Sequence, residues 1–326
     1  MTCAVLLLMM TTPFPGGLAD GERTAYVAGP KGIDALDLET GEARWRSPHA
    51  QKPLFAAGDT LFCLALESDS LAVVGLDKVG KGEVVFRSRP IETPRWADPA
   101  GAAGQSFAVA WSQEKRTLVL SWQARLKPRV GRGKEAHGSV RIDLLSGKTE
   151  PLAEARHAAP PLALPKLLEK LSVRWHRTFG GQVLAVTEEE AGKPGDRTHR
   201  LLLRTWDERT GKEAAAKELV RGGRPALLRG LDGLHLWVRD AGTRETEEPA
   251  GWQVYSSLDG HAVAQVPFVA GTSQAVLLGG RAYVVAGASG RAALEGNGSR
   301  AYVLHALDLE TGKASWTWPL SRHAAE

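Results

Sequence analysis

The sequence predicts an all-β chain assembled from repeated four-stranded antiparallel units. Three observations carry that expectation. Residues 35–45 read ALDLETGEARW and residues 306–316 read ALDLETGKASW, with nine of eleven positions identical. The skeleton inside the phrase (Asp, two residues, Thr, Gly, three residues, Trp) returns four more times in looser form. Each copy also separates two short apolar or alternating runs, the period of half-buried strands, while helix-period patterns are scarce.

The copies in chain order give the elements. The first unit has AYVAGP, GIDALDLE and EARWRS, with its corner at Asp37 and Gly41. The second turns first at Gly58-Asp59 within PLFAAGDTLFCLAL, then at LDKVGKGEVVF, one residue longer than the others, with Gly82 and with Phe86 in the Trp place. The third has DLLSGK, with Asp143, Gly147 and Pro151 in the Trp place. The fourth runs from HRLLLRTW into DERTGK, with Asp207, Gly211 and Ala215. Before it lies LPKLLEKLSVRW (164–175), which reads as a short inserted helix or as a strand approach. The fifth turns at Asp232-Gly233 and again at YSSLDGHAVA, where Ser256 replaces Asp and Gly260 is the corner. The sixth has a Gly-Gly turn in SQAVLLGGRAYVVAG, then Asp308, Gly312 and Trp316.

The corner chemistry is mechanical. Gly supplies a positive φ without a steric penalty, and the Asp carboxylate accepts N–H groups two or three residues on. Successive corner glycines lie 41, 65, 64, 49 and 52 residues apart. A four-stranded unit repeating every 40–50 residues, with insertions in two units, is the pattern of a β-propeller. Six blades are visible, or seven if the long third or fourth segment hides one.

The skeleton resembles the tryptophan-docking repeat of the PQQ-binding-like β-propeller family, Ala-x-Asp-x-x-x-Gly-x-x-x-Trp. Ala35, Asp37, Gly41 and Trp45 match it, as do Ala306, Asp308, Gly312 and Trp316. The resemblance implies that Trp45 and Trp316, and less closely Phe86, pack between adjacent blades. Replacing either Trp by Ala should then cost about 3–5 kcal/mol, as for a buried large aromatic. By analogy with the outer-membrane assembly propellers of that family, it implies a non-catalytic binding or scaffold protein for a partner protein, periplasmic or secreted, and otherwise cytoplasmic. The alternative it implies is a PQQ- or quinone-dependent oxidoreductase, or a small-ligand sensor, using the central channel. No positions match the calcium ligands, catalytic Asp or vicinal cysteines of the quinone enzymes. We therefore expect no cofactor, no metal and no catalytic residue, and assign Asp37, Asp143, Asp207 and Asp308 to turns.

Composition narrows the classes further. The 326 residues are 43% hydrophobic and 24% charged, with net charge +4, ordinary for a globular chain. Basic residues concentrate at 125–134, RLKPRVGRGK, without interleaved aromatics, so a solvated loop is expected and nucleic acid is not. Cys3 and Cys63 make no disulfide scaffold, and Cys63 within TLFCLAL reads as a buried thiol. Residues 1–19 read either as a secretory leader cleaved after Ala19 or as a strand closing the first unit. Residues 20–326 are expected to form one propeller domain, monomeric and without a membrane span.

Overall fold

The computed structural model describes residues 12–67, 70–94, 96, 105–114, 116–126, 133–152, 165–190, 198–223, 225–240, 251–287 and 302–321. Residues 1–11 and most of the basic stretch, 127–132, lie outside them.

The described chain is all-β and folds into six antiparallel sheets, each a meander whose strands pair in sequence order. Sheet I holds Gly17–Asp20, Thr24–Gly29, Gly32–Asp37 and Ala43–Ser47, with Thr12–Phe14 added beyond its first strand. Sheet II holds Lys52–Ala57, Thr60–Leu66 and Ser70–Asp77. Its outer strand comes in two pieces, Val84–Arg87 and Ile91–Glu92, both paired to Ser70–Asp77. Sheet III holds Gln105–Glu114, Thr117–Leu126, Lys134–Asp143 and Thr149–Pro151. Sheet IV holds Val173–Phe179, Gln182–Glu190, His199–Asp207 and Glu213–Gly222. Sheet V holds Pro225–Arg229, His235–Asp240, Trp252–Ser256 and Ala262–Val266. Sheet VI holds Thr272–Leu278, Arg281–Gly287, Tyr302–Asp308 and Ala314–Leu320. The ambiguous stretch before sheet IV resolves into both readings, a single 3₁₀ turn at Lys166–Leu168 and then a strand from Val173.

Burial follows strand position. In sheet II the middle strands are apolar on both faces because a sheet covers each side. In sheet II, Leu61, Cys63, Ala65, Ala72, Val74 and Leu76 pack on Tyr26, Ile33 and Ala35 of sheet I. The alternate residues Phe62, Leu64, Leu71 and Val73 pack on Leu118, Leu120, Trp122 and Ile142 of sheet III. A strand buried on both faces loses its polar alternation, which is why TLFCLAL and SLAVVGLD read as continuous apolar runs. Fourth strands keep one face in solvent, and Ala43–Ser47 and Ala262–Val266 are mostly exposed.

The described strands group into two compact units. The first holds Met1–Leu162 and Pro319–Ala324, and the second Ala163–Trp318. Within the first unit, the Ser321 N–H donates to the Ala28 carbonyl at 2.8 Å, and Leu320 is buried. Phe14 and Ala19 are also buried in the first unit, so cleavage after Ala19 would remove two core residues of sheet I. No helix among the described residues is long and apolar enough to cross a membrane.

Candidate protein-binding surface

The six corners share one hydrogen-bond pattern. The glycine N–H donates to the carbonyl of the corner's first residue: Gly41 to Asp37, Gly147 to Asp143, Gly211 to Asp207, Gly260 to Ser256, Gly312 to Asp308, and Gly82 to Asp77 across its extra residue. The first residue's own N–H bonds the carbonyl just past the glycine in all six, as in Asp37 to Glu42 at 2.8 Å. The carboxylates cap the inner N–H groups, Asp143 taking Leu145 at 2.9 Å and Ser146 at 2.7 Å. Asp308 takes Glu310 at 3.0 Å and Thr311 at 2.7 Å. In the fifth corner the Ser256 hydroxyl takes the same role toward Leu258 at 3.2 Å. All six glycines have positive φ. The insertion at the second corner puts Lys81 at φ 63°, the single non-glycine with positive φ among the described residues.

These bonds hold the carboxyls below their usual range. The Arg44 guanidinium is the main cause at Asp37, backbone N–H groups at Asp77, Asp143 and Asp308, and the Thr210 hydroxyl at Asp207. The corner aspartates are thus occupied by turn geometry. Among the described residues no three His, Cys, Asp or Glu side chains gather as a metal site.

Trp45 reaches from sheet I onto the corner of sheet II, where its Nε1–H donates to the Lys78 carbonyl at 3.0 Å. A Cβ on Gly82 would lie 2.5 Å from the Trp45 ring, so that glycine is needed for the ring's approach as well as for its φ of 75°. Phe86 packs edge-on against Phe62, at 5.7 Å between centroids, and onto the cluster shared with sheet III. Trp316 lies half-buried on the last strand of sheet VI, its ring 5.8 Å from Tyr283.

A cross-strand row that the motif search missed explains where the Trp is kept. Tyr26, Ala35 and Trp45 stand opposite one another in sheet I, the small Ala letting the two rings meet over it at 5.7 Å. Phe62, Gly75 and Phe86 repeat the pattern in sheet II. In sheet V the order is reversed. Trp237, fully buried, stands opposite Val254, which faces Ala264, so the inner strand already fills the row. The signal was present as AYV at both 25–27 and 282–284.

The corners also place a set of exposed apolar side chains. In every sheet the turn after strand one lies beside the turn after strand three, joined by a backbone bond. Lys78 N–H to Asp59 and Glu208 N–H to Gly181, both 2.9 Å, and Ser257 N–H to Leu234 at 2.8 Å are examples. Large apolar residues sit at this double-turn end. In the first unit these are Val79 and Leu145, each two residues past a corner Asp. In the second unit they are Phe179 (56% exposed), Leu234 (51%) and Leu258 (44%). Arg177 ties these three together: its Nη1 donates to the Gly233 carbonyl at 3.0 Å and reaches the Ser257 hydroxyl at 3.4 Å, and its Cζ lies 5.3 Å from the Phe179 ring centroid. Two histidine–carboxylate contacts flank the cluster, His235 Nδ1 with Asp232 and His261 Nδ1 with Asp259, both at 2.7 Å. The His261 backbone and ring pull the Asp259 carboxyl down to about 2. Monomeric proteins rarely leave several large apolar residues exposed together on ordered turns unless they bind something there.

No protein-family model and no curated protein matches the chain. Among solved structures it is similar to Kluyveromyces lactis Hsv2 with complete loop 6CD, at 11% identity over 91% of this chain and 94% of that one, with TM-score 0.32. It is similar to the β-propeller domain of the trilobed protease from Pyrococcus furiosus, at 12% identity over 89% and 77%, with TM-score 0.27. It is also similar to the N-terminal domain of Nup159, at 13% identity over 84% and 87%, with TM-score 0.30. TM-scores near 0.3 leave function to be argued from this chain's own strands and side chains.

Proposed function

We propose that the chain is a six-bladed β-propeller of the tryptophan-docking type, a non-catalytic scaffold that binds a partner protein through the double-turn ends of its sheets. The observation that carries the reading is the cluster Phe179, Leu234 and Leu258 organised around Arg177. Its three apolar side chains are exposed, while the backbone beneath them is fixed by hydrogen bonds. A fixed apolar surface loses little conformational entropy on binding, which suits a scaffold. Half-exposed aromatic and aliphatic side chains with a polar rim match the composition of a protein interface.

The test is site-specific photo-crosslinking in the native cell. A photoreactive residue at 179, 234 or 258 should capture one common protein partner, and one at Val263, on the exposed outer strand of sheet V, should not. Phe179→Asp and Leu258→Asp should each weaken binding of that partner at least tenfold while leaving the melting temperature within about 2 °C, because both side chains are exposed. Failure to capture a common partner, or capture that persists equally in both Asp variants, would overturn the assignment.

A further inference from the structure

At the opposite end of sheet V lies a different constellation. Arg239 is near the end of His235–Asp240, Trp252 opens the next strand, and Phe268 follows the last strand of the sheet. The Arg239 guanidinium is clamped between two rings, its Cζ 4.3 Å from the Phe268 centroid and 5.2 Å from that of Trp252. Such a clamp fixes the plane of a cation and dries its surroundings. Among the described residues Arg239 has no carboxylate partner. Among the described residues its buried Nε–H has no partner, and neither do the indole N–H groups of Trp237 and Trp252. Those two tryptophans are 0% and 5% exposed.

All three donors lie on one face of the sheet. Trp237 stands opposite Val254; Arg239 lies two residues after Trp237 and Trp252 two residues before Val254, which keeps all of them on the same side. That side also carries Val254 and Val266 and packs on Ala275, Ala282 and Val284 of sheet VI. Buried donors are rarely left unpaired, and three on one apolar face need an acceptor. Partial burial also lowers the Arg239 pKa.

We propose that Arg239, Trp252 and Trp237 form a recognition site for a carboxylate, held by the guanidinium and by the two indole N–H groups. The three donors match the two oxygens of a carboxylate, and an apolar surrounding penalises a phosphate dianion more than a monoanion. The carboxylate comes from a small organic acid or from an acidic residue of a bound protein. The site is separate from the Phe179 cluster, and either assignment stands without the other.

The indole N–H resonances read the site directly. Trp237→Phe and Trp252→Phe assign the two signals in a ¹⁵N spectrum, and titrations at constant ionic strength then use acetate, a glutamate-rich peptide, phosphate and chloride. A carboxylate site moves both signals downfield in a saturable way with acetate or the peptide, and the stronger of the two names the source. Arg239→Lys keeps the charge but loses the planar fork and should weaken binding at least tenfold. Arg239→Gln should abolish it, with the other indole signals showing that the fold is kept. Indole shifts that are absent, that are tighter with phosphate, that chloride reproduces, or that persist in Arg239→Lys at full affinity would overturn the proposal. So would binding that moves only signals outside Trp237 and Trp252.

Discussion

At the scale of single residues, the corner glycines are not equivalent, and the difference can be measured. Gly211 has φ 66° with open space around its missing side chain, so Gly211→Ala carries only the left-handed backbone penalty, about 1–2 kcal/mol. Gly82 adds a collision with the Trp45 ring, and Gly82→Ala should cost about 2–5 kcal/mol in chemical denaturation. Trp45 itself is only half-buried, which revises the expectation drawn from a fully buried ring. Trp45→Ala should cost about 2–3 kcal/mol, including the hydrogen bond lost by the Lys78 carbonyl. Cys63 gives a kinetic counterpart. Its thiol is fully buried and pushed well up by that burial, so it neither ionises nor meets reagent in the native state. In a Cys3→Ser background, thiol labelling should proceed at the rate of local opening of sheet II and stop depending on reagent concentration once the reagent is in excess.

At the scale of elements, the corners were legible because their chemistry is local. An Asp that caps inner N–H groups and a Gly with positive φ leave a fixed signature within a few residues, and five of the six corners carry both, Ser256 standing in for the Asp at the fifth. The packing rows were not legible in the same way. Whether a corner keeps its Trp depends on the residue two strands earlier, as Trp237 and Ala264 show, and that pairing exists only after the sheet has formed. The third corner lacks the bulge that follows the turn in sheets I, II, IV and V, so Pro151 stands opposite Val140 with no offset. The exposed apolar residues were passed over because Val79, Leu145 and Leu258 look like ordinary turn variation in one dimension. The corner carboxylates also make a prediction about acid. Their folded pKa values are depressed, so their stabilisation is complete above the unfolded value near 4 and is lost as pH falls through the folded values. Melting temperature should therefore be flat from pH 7 to about 5 and decline below about 4. Asp259, at about 2, should be the last of these groups to release its contribution. Asp143→Asn together with Asp308→Asn should flatten part of that decline.

At the scale of the whole molecule, the six-sheet plan and the antiparallel meander were predictable from period and alternation. The grouping of the sheets into two units of three has no local mark in the chain. The late segment Pro319–Ser321 belongs to the first unit, and removing everything after Trp318 should therefore loosen strand Thr24–Gly29. Hydrogen exchange should show lost protection at Val27, Ala28 and Gly29, while Val183 to Val186 of sheet IV keep theirs. Unchanged protection in both places would separate that segment from the stability of the first unit. The same bond has a temporal meaning. A ribosome emits sheets I to III early, yet the amide that satisfies the Ala28 carbonyl emerges only after sheets IV to VI have been translated. For that interval strand Thr24–Gly29 lacks this bond, and the time it spends in that state grows with every pause in the synthesis of the second half.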